Sequence, residues 1–505
     1  MARSTQLAIG LSIFSVAARL ILIDQPYIDT WSWRQSDVAA IARNYFQNSF
    51  HFAHPQIDWA GAAPGYVGTE FPILPFLAAV AYRFGGVHEW IGRCETVVFF
   101  AVSLPFFFLL VRDLFGSTAA IWAQLFYGFA PLNLFAGREF MPDAPSLSLA
   151  LIGLYFFKRW INDNKPRAFL ASACAIALSI LIKAPSALTA APLGCLAVAA
   201  VYDRRSNSRT KVCDAPFDSA QGRLRPPLQS LALFAVVVLL PALLWYWHAY
   251  SIAQNFYPHH FFGGGGLRLE TAGAYERIAA FTTTASLTPI LVVLASAGLF
   301  LTRSSIAARP FRWWLCAMLL FIIVAGKGNR HPWYQLPLVP VSAAFAGAAC
   351  AFLAGKISSR RAKMILSILL AGLFCGAAFC YVRPFYRPWA TQLRDAGLEL
   401  RRITSPASLL IAADHGDPTL LYYAGRRGWH LPQKDAIYYG DPADGQQLIN
   451  NLSELRKAGA THLVFVSTTF WFIDQYPDFA VYLAQSAALT EKTSAFAIYH
   501  LKPNE

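Results

Sequence analysis

Apolar runs long enough to be membrane helices recur along the chain, and no other feature limits its fold as strongly. Eleven lie near 6–23, 91–111, 117–136, 145–161, 168–182, 186–201, 228–248, 281–301, 311–326, 336–354 and 363–381. A helix needs about 20 apolar residues to cross the hydrocarbon core, and lipid leaves backbone groups unsatisfied outside a helix or a closed barrel. The expected fold class is therefore a polytopic α-helical membrane protein. Only 14% of the residues are charged, against about 25% in ordinary soluble domains. The run 72–84 is apolar but short and holds prolines, so it reads as a re-entrant or interfacial helix. No small-residue cleavage site follows residues 6–23, which read as a retained first span. Arg19 near its end is placed to snorkel to the headgroups.

The formal net charge is +14, but the basic residues gather in short loops between the runs. Such loops include Lys158 to Arg167, Arg204 to Arg225, Arg303 to Arg312 and Lys356 to Lys363. That is the positive-inside pattern, so the charge calls for no nucleic-acid partner. By alternation, 24–90, 137–144, 183–185, 249–280, 327–335 and everything after 382 face outward. The basic stretch 203–227 is rich in Pro and Gly without periodicity and reads as a flexible loop. None of the eight cysteines follows Cys380, which argues against a disulfide framework.

The long first outer loop, 24–90, is not simply polar. Val38, Ile41, Ala42, Tyr45 and Phe46 follow the spacing of one helical face. Ser36 suits an N-cap, and such a helix is expected to lie flat in the interface with Asp37 in its first turn. After residue 381 the composition changes. Ser408–Ala413, Thr461–Ser467 and Ala495–Leu501 read as strands, and Asp444–Ala458 as an amphipathic helix. The chain thus divides into a membrane domain, 1–381, and a small outward α/β domain, 382–505. Asp414-His-Gly-Asp417 follows a strand, a frequent place for a ligand site; it is read as a turn and helix cap and left outside the catalytic set.

Three acids stand at the outer ends of apolar segments, each in a turn marked by Pro, Gly or Trp: Asp37, Glu70 and Asp143. Singly, each reads as a cap or a helix-dipole partner. Together they suit general bases or metal ligands. Cations share their level. Lys183 sits at the tip of an apolar hairpin, and Arg138, Arg330 and His331 lie in outer turns. Arg and Lys at a lipid surface suit a phosphate. Carboxylates beside phosphate-binding cations at headgroup depth point to a lipid-linked phosphate as substrate. His259 and His260 beside acids could hold zinc or manganese, so a divalent metal stays open. The run Gly263 to Gly266 lacks a phosphate-loop ending and reads as a flap.

Five segments resemble the polyprenyl-phosphate-sugar-dependent glycosyltransferases of the C-type fold, in the set related to protein mannosyltransferases and aminoarabinose transferases. They are Trp33–Asn44, Glu70–Pro75, Arg138–Pro145, Ile182–Pro185 and His331–Pro337. The resemblance implies catalytic roles for Asp37, Glu70 and Asp143. It implies substrate contacts for Lys183, Arg138, Arg34, Trp33, Arg330, His331 and Tyr334. It also implies a polyprenyl-phosphate sugar donor, and a glycolipid, glycan or protein acceptor at the periplasmic face of a bacterial inner membrane. The N-terminus would then be cytoplasmic and the C-terminal domain periplasmic. Trp-Arg-Gln-Ser-Asp replaces the paired Asp-Glu of the aminoarabinose transferase pattern, so Asp29 competes with Asp37. Phe71 follows Glu70 where some relatives carry a basic residue.

These readings lead to an inverting transfer in which Asp37 takes the acceptor proton and Lys183 stabilises the departing phosphate. The rival class is a transporter or lipid flippase. Coupled carriers hold ionisable groups at mid-membrane; here the acids before residue 390 fall in loops or at span ends, and no strong inverted repeat is evident.

Overall fold

The computed structural model describes residues 3–210, 228–262, 266–434 and 437–503. The chain is a multi-pass membrane protein, mostly helical, with a small sheet near its C-terminus. All eleven apolar runs fall on helical segments. Among the described residues, Glu89–Phe115, Leu228–Asn255, Leu338–Lys356 and the run Arg360–Ile403 are long and apolar enough to cross a bilayer. The last of these opens with the helix Arg360–Val382.

Several expectations for the membrane helices and their loops are corrected. The run 281–301 is not one straight span: Ala272–Ser286 and Pro289–Leu301 meet at a bend of 98°. The cause is local. Thr288, at positive φ, starts a new helix ahead of Pro289 and caps it by accepting from the Leu291 N–H. Residues 203–210 are not loop, because the helix Ala190–Thr210 includes them; the rest of the expected loop, 211–227, lies outside the described residues. Arg19 does not snorkel. It is fully buried, donates to the carbonyls of Ser15, Gly128 and Asn133, and lies 3.4 Å from the centre of the Phe100 ring. Those carbonyls at and beside helix ends take the charge that headgroups would otherwise hold.

The chain divides into two compact units, and the division is not a single cut after residue 381. Unit 1 comprises Met1–Ile23, Cys94–Trp245 and Gly264–Pro384. Its helices approach closely through small residues, the usual device where lipid offers no hydrophobic drive. A Cβ on Gly298 would lie 1.8 Å from the Phe345 carbonyl oxygen, and one on Gly347 would lie 2.3 Å from that of Ala119. The helices Asp143–Asp163 and Pro166–Ile182 are pinned by reciprocal bonds: Ser146 Oγ donates to the Ser179 carbonyl, and Ser179 Oγ to that of Ser146, both at 2.7 Å.

Unit 2 comprises Asp24–Arg93, Tyr246–Gly263 and Phe385–Glu505. One apolar core joins its three segments, with Ile41, Tyr45 and Trp59 from the first, Phe262 from the second, and Leu393, Leu410 and Val464 from the third. The first-loop helix is Ser32–Gln47, and protein buries most of it. The expectation of a helix lying flat at the lipid surface therefore fails. Ser36 is not its N-cap either; it is buried one turn inside and shares a 2.9 Å hydrogen bond with Thr419 Oγ1. The helix Ile73–Gly85 buries Leu74, Ala78 and Tyr82 while Leu77, Val80 and Phe84 stay exposed.

The sheet has five strands: β1 (Leu409–Ala413), β2 (Arg427–His430), β3 (His462–Val466), β4 (Ala487–Lys492) and β5 (Phe496–Leu501), in the order β2-β1-β3-β5-β4. β1 pairs parallel with β2 and β3, while β5 runs antiparallel to β3 and β4. The expected strands become β1, β3 and β5. The expected helix is Gly445–Lys457, with Asp444 capping the Gln447 N–H.

Candidate functional site

In unit 1, Asp143 opens the helix Asp143–Asp163, and Lys183 ends the helix Pro166–Ile182 in an extended conformation just before Ala184-Pro185. Proline there forbids helical continuation, so the chain turns and the lysine faces the start of the neighbouring helix. Lys183 Nζ lies 3.4 Å from Asp143 Oδ1 and 4.8 Å from the centre of the Tyr334 ring. Both charged side chains are buried. They line a crevice with Leu147, Leu188 and Trp333. The sequence-predicted residues Asp143, Lys183 and Tyr334 therefore meet. His331 stacks flat on Trp333 with ring centres 4.6 Å apart, and the exposed Arg330 pairs with Glu270 at 2.6 Å. Arg138 is placed differently from the expected substrate contact. It is fully buried, pairs with Glu139 at 2.7 Å and donates to the carbonyls of Ile21 and Leu22. Its fixed donor geometry ties two chain segments together.

In unit 2, Arg34 and Asp37 are three residues apart and share a face of the helix Ser32–Gln47. Arg34 pairs with Glu70 at 2.8 Å, Glu70 also accepts from Thr69 Oγ1, and the guanidinium lies 5.1 Å from the centre of the Phe262 ring. Asp37 is buried and accepts from Trp59 Nε1 at 3.1 Å. Burial pushes its pKa up to about 7, although Arg34, the Trp59 hydrogen bond and His430 act to lower it. His260 stands edge-on to Trp59 and Phe262. Burial, then the charge of Arg34, pushes its pKa down to about 4, so it is a neutral imidazole at pH 7. The two first-loop aspartates are held differently. Asp29 is fully buried and accepts from Arg93 at 3.0 Å, Gln35 at 2.8 Å and the Trp31 N–H. It anchors the entry to the helix.

Sequence reasoning did not find Trp59 or His430, which surround Asp37. His430 ends β2 and bonds to Asp414 Oδ1 at 2.8 Å. Burial opposes its protonation, yet Asp414, backed by Asp37 and Asp417, holds its pKa above the ordinary value. Nothing in a strand of four residues announces this; only the Asp414 motif was visible. Trp33 lies apart from Arg34 and Glu70, in a second cavity near Asp414. For the metal, His259 Nδ1 lies 3.2 Å from the Ala253 carbonyl oxygen while His260 packs on aromatic rings. Among the described residues no three His, Cys, Asp or Glu side chains form a metal-binding group. The flap expected over Gly263 to Gly266 falls, but for Gly266, outside the described residues.

The chain is similar to known proteins over part of its sequence and in its fold. Residues 69–213 match the model of the family described as dolichyl-phosphate-mannose-protein mannosyltransferase. The fold is similar to that of ArnT from Cupriavidus metallidurans in the apo state, at 16% identity and a TM-score of 0.65, covering 99% of this chain and 98% of that one. The same protein bound to undecaprenyl phosphate gives a TM-score of 0.63 at 16% identity, covering 98% of each chain. The oligosaccharyltransferase AglB from Archaeoglobus fulgidus, in complex with an inhibitory peptide and a dolichol-phosphate, gives 0.58 at 13% identity over 99% of this chain and 74% of that one. No curated protein sequence matches the chain significantly. The fold is thus the C-type fold of membrane glycosyltransferases. The family model over residues 69–213 and the similar fold both bear out the resemblance read from the sequence.

Proposed function

We propose that this chain transfers a hexosyl or pentosyl group from a polyprenyl-phosphate sugar to a hydroxyl of a glycolipid, glycan or protein. The reading rests most on one observation, the buried Lys183 ammonium held between Asp143 and the Tyr334 ring in the membrane unit. A largely buried cation fixed there is worth far more to an anionic leaving group than one in solvent. Relatives of the same fold were solved with undecaprenyl phosphate and dolichol-phosphate, and this chain is assigned the same donor class.

Asp37 removes the acceptor proton as the acceptor oxygen bonds to the anomeric carbon. The bond from that carbon to the phosphate oxygen breaks, the anomeric configuration inverts, and polyprenyl phosphate leaves with its negative charge held by Lys183. A carboxylate with a pKa of about 7 is matched to general-base work near neutral pH. Glu70 fixes Arg34 beside Asp37, while Asp143 holds the Lys183 side chain in place. In this reading the reaction takes place on the periplasmic side of a bacterial inner membrane, with the N-terminus cytoplasmic and unit 2 outside. The test supplies a radiolabelled polyprenyl-phosphate sugar to membranes containing the protein. Release of free polyprenyl phosphate, dependent on Asp37 and Lys183, supports transfer; movement of intact donor across the bilayer without release would make the protein a flippase.

A further inference from the structure

Unit 2 holds a second cavity of about 560 Å³ that the proposed transfer does not use. It opens where the sheet changes direction. From β1 the chain goes to β2 on one side, while β3 lies parallel on the other. The loops leaving β1 and β3 therefore diverge, which makes a crevice at the carboxyl edge of the sheet, the usual ligand position in open α/β sheets. Asp414, His415 and Asp417 come from the loop after β1, and Thr468 from the turn after β3. His415 Nε2 lies 3.2 Å from the Thr468 carbonyl oxygen across the opening. Trp33 and Trp389 complete the wall. Trp33 is half-buried, and Trp389 is 62% exposed although its backbone N–H is fixed to the Ile28 carbonyl.

The chemistry of this lining is selective. No lysine or arginine lines the cavity among the described residues, so a phosphate or carboxylate would find carboxylates and no counter-charge. The exposed Trp389 indole, on a backbone fixed to the Ile28 carbonyl, offers a flat apolar surface at low entropic cost. Asp414 is 2% exposed, and its Oδ1 takes His430 and the Gly416 N–H, while its Oδ2 has no hydrogen-bond partner. A buried carboxylate oxygen left unpaired is costly, and a ligand hydroxyl or amine relieves it. An apolar ring face together with outward hydroxyl or amine donors describes a sugar ring.

We propose that this cavity is a saccharide-binding site for a neutral or amino sugar, with Trp389 stacking on the ring and Asp414 accepting from it. The assignment concerns binding alone and stands whether or not the transfer reading holds, because its test contains no lipid donor. The full chain is reconstituted in nanodiscs free of glycoside detergents. Saturation-transfer NMR and tryptophan fluorescence then follow three probes: chitobiose, its fully deacetylated form, and digalacturonate. Saturable binding of either of the first two, with none of the acidic disaccharide, is the expected result. Trp389→Ala, at an exposed position, should weaken binding about tenfold, and Asp414→Asn should weaken the amino form more than the neutral one. Inorganic phosphate should not compete. Failure of both non-acidic probes to bind at millimolar concentration would overturn the proposal. So would binding that Trp389→Ala leaves unchanged, which would make that side chain a membrane-interface aromatic instead.

Discussion

Replacing Asp37 by asparagine separates a proton-transfer role from a structural one, because the two readings predict opposite changes in stability. Burial raises this carboxyl from 3.8 to about 7, which sets about 4 kcal/mol against its ionised form in the folded protein. The unfolded chain loses the proton near 3.8 and the folded chain only near 7. Between those values the folded state binds the extra proton, so this group makes the wild type lose stability as pH rises through that window, and the loss levels off above it. Asparagine keeps an oxygen for the Trp59 indole and cannot ionise. The variant should therefore melt increasingly above the wild type as pH rises, by up to about 4 kcal/mol at about pH 8. Thermal melts of both proteins in nanodiscs across this range measure the difference directly, and titrations elsewhere in the chain largely cancel. Transfer, in contrast, should be lost in the variant. In the wild type it should rise with pH through about 7 and then level off, as expected for a base that must be ionised. Parallel melting curves for the two proteins, or wild-type transfer by the asparagine variant, would refute the assignment.

Lys183→Ala should lower the rate of lipid-phosphate release by a factor of about 100 or more while the protein still inserts, as judged by monodisperse elution; Lys183→Arg should recover part of the loss. Glu70→Gln removes the buried Arg34–Glu70 ion pair and should destabilise the fold by about 3 kcal/mol, read as a lower Tm. The double variant Arg34→Met with Glu70→Leu should regain Tm but not activity. Arg138→Ala should reduce the yield of folded protein, because it strips the Ile21 and Leu22 carbonyls of their donor; a well-folded variant with only a raised KM would restore the substrate-binding role. Gly298→Ala should prevent assembly of the membrane unit, since its methyl group meets the Phe345 carbonyl, and expression with size-exclusion chromatography reports the outcome.

What could be read from the sequence follows from which signals are local. Apolar runs locate helices whatever their neighbours, and β1, β3 and β5 announce themselves as short apolar strands. The cap at Asp444 is likewise local, since its carboxylate bonds to a backbone N–H three residues on. β2 and β4 escaped because one is four residues long and the other largely exposed. The common level of Asp143 and Lys183 was legible, since both stand at proline-marked turns; their pairing shows only in the fold. The fate of single arginines was not. Arg19 and Arg138 look in sequence like cations at a lipid boundary, yet carbonyls from distant segments hold them inside the protein. The Asp37 surroundings were hidden for the same reason: Trp59 and His430 reach it through tertiary contacts that no spacing encodes. Asp29 and Asp37 look alike in sequence until Arg93, 64 residues from Asp29, picks one of them.

The interleaved construction of unit 2 governs how such a protein can be made in a cell. Ser36 finds its hydroxyl partner 383 positions downstream, and the core around Tyr45 awaits Leu410 and Val464. During synthesis the first loop emerges early and must stay unfinished until the segment reaching Val464 has left the ribosome. A nonsense mutation after residue 400 would spare Asp37, Glu70, Asp143 and Lys183 and still strip the helix Ser32–Gln47 of its cover. Quality-control proteases should therefore treat late truncations as severely as the loss of an early segment.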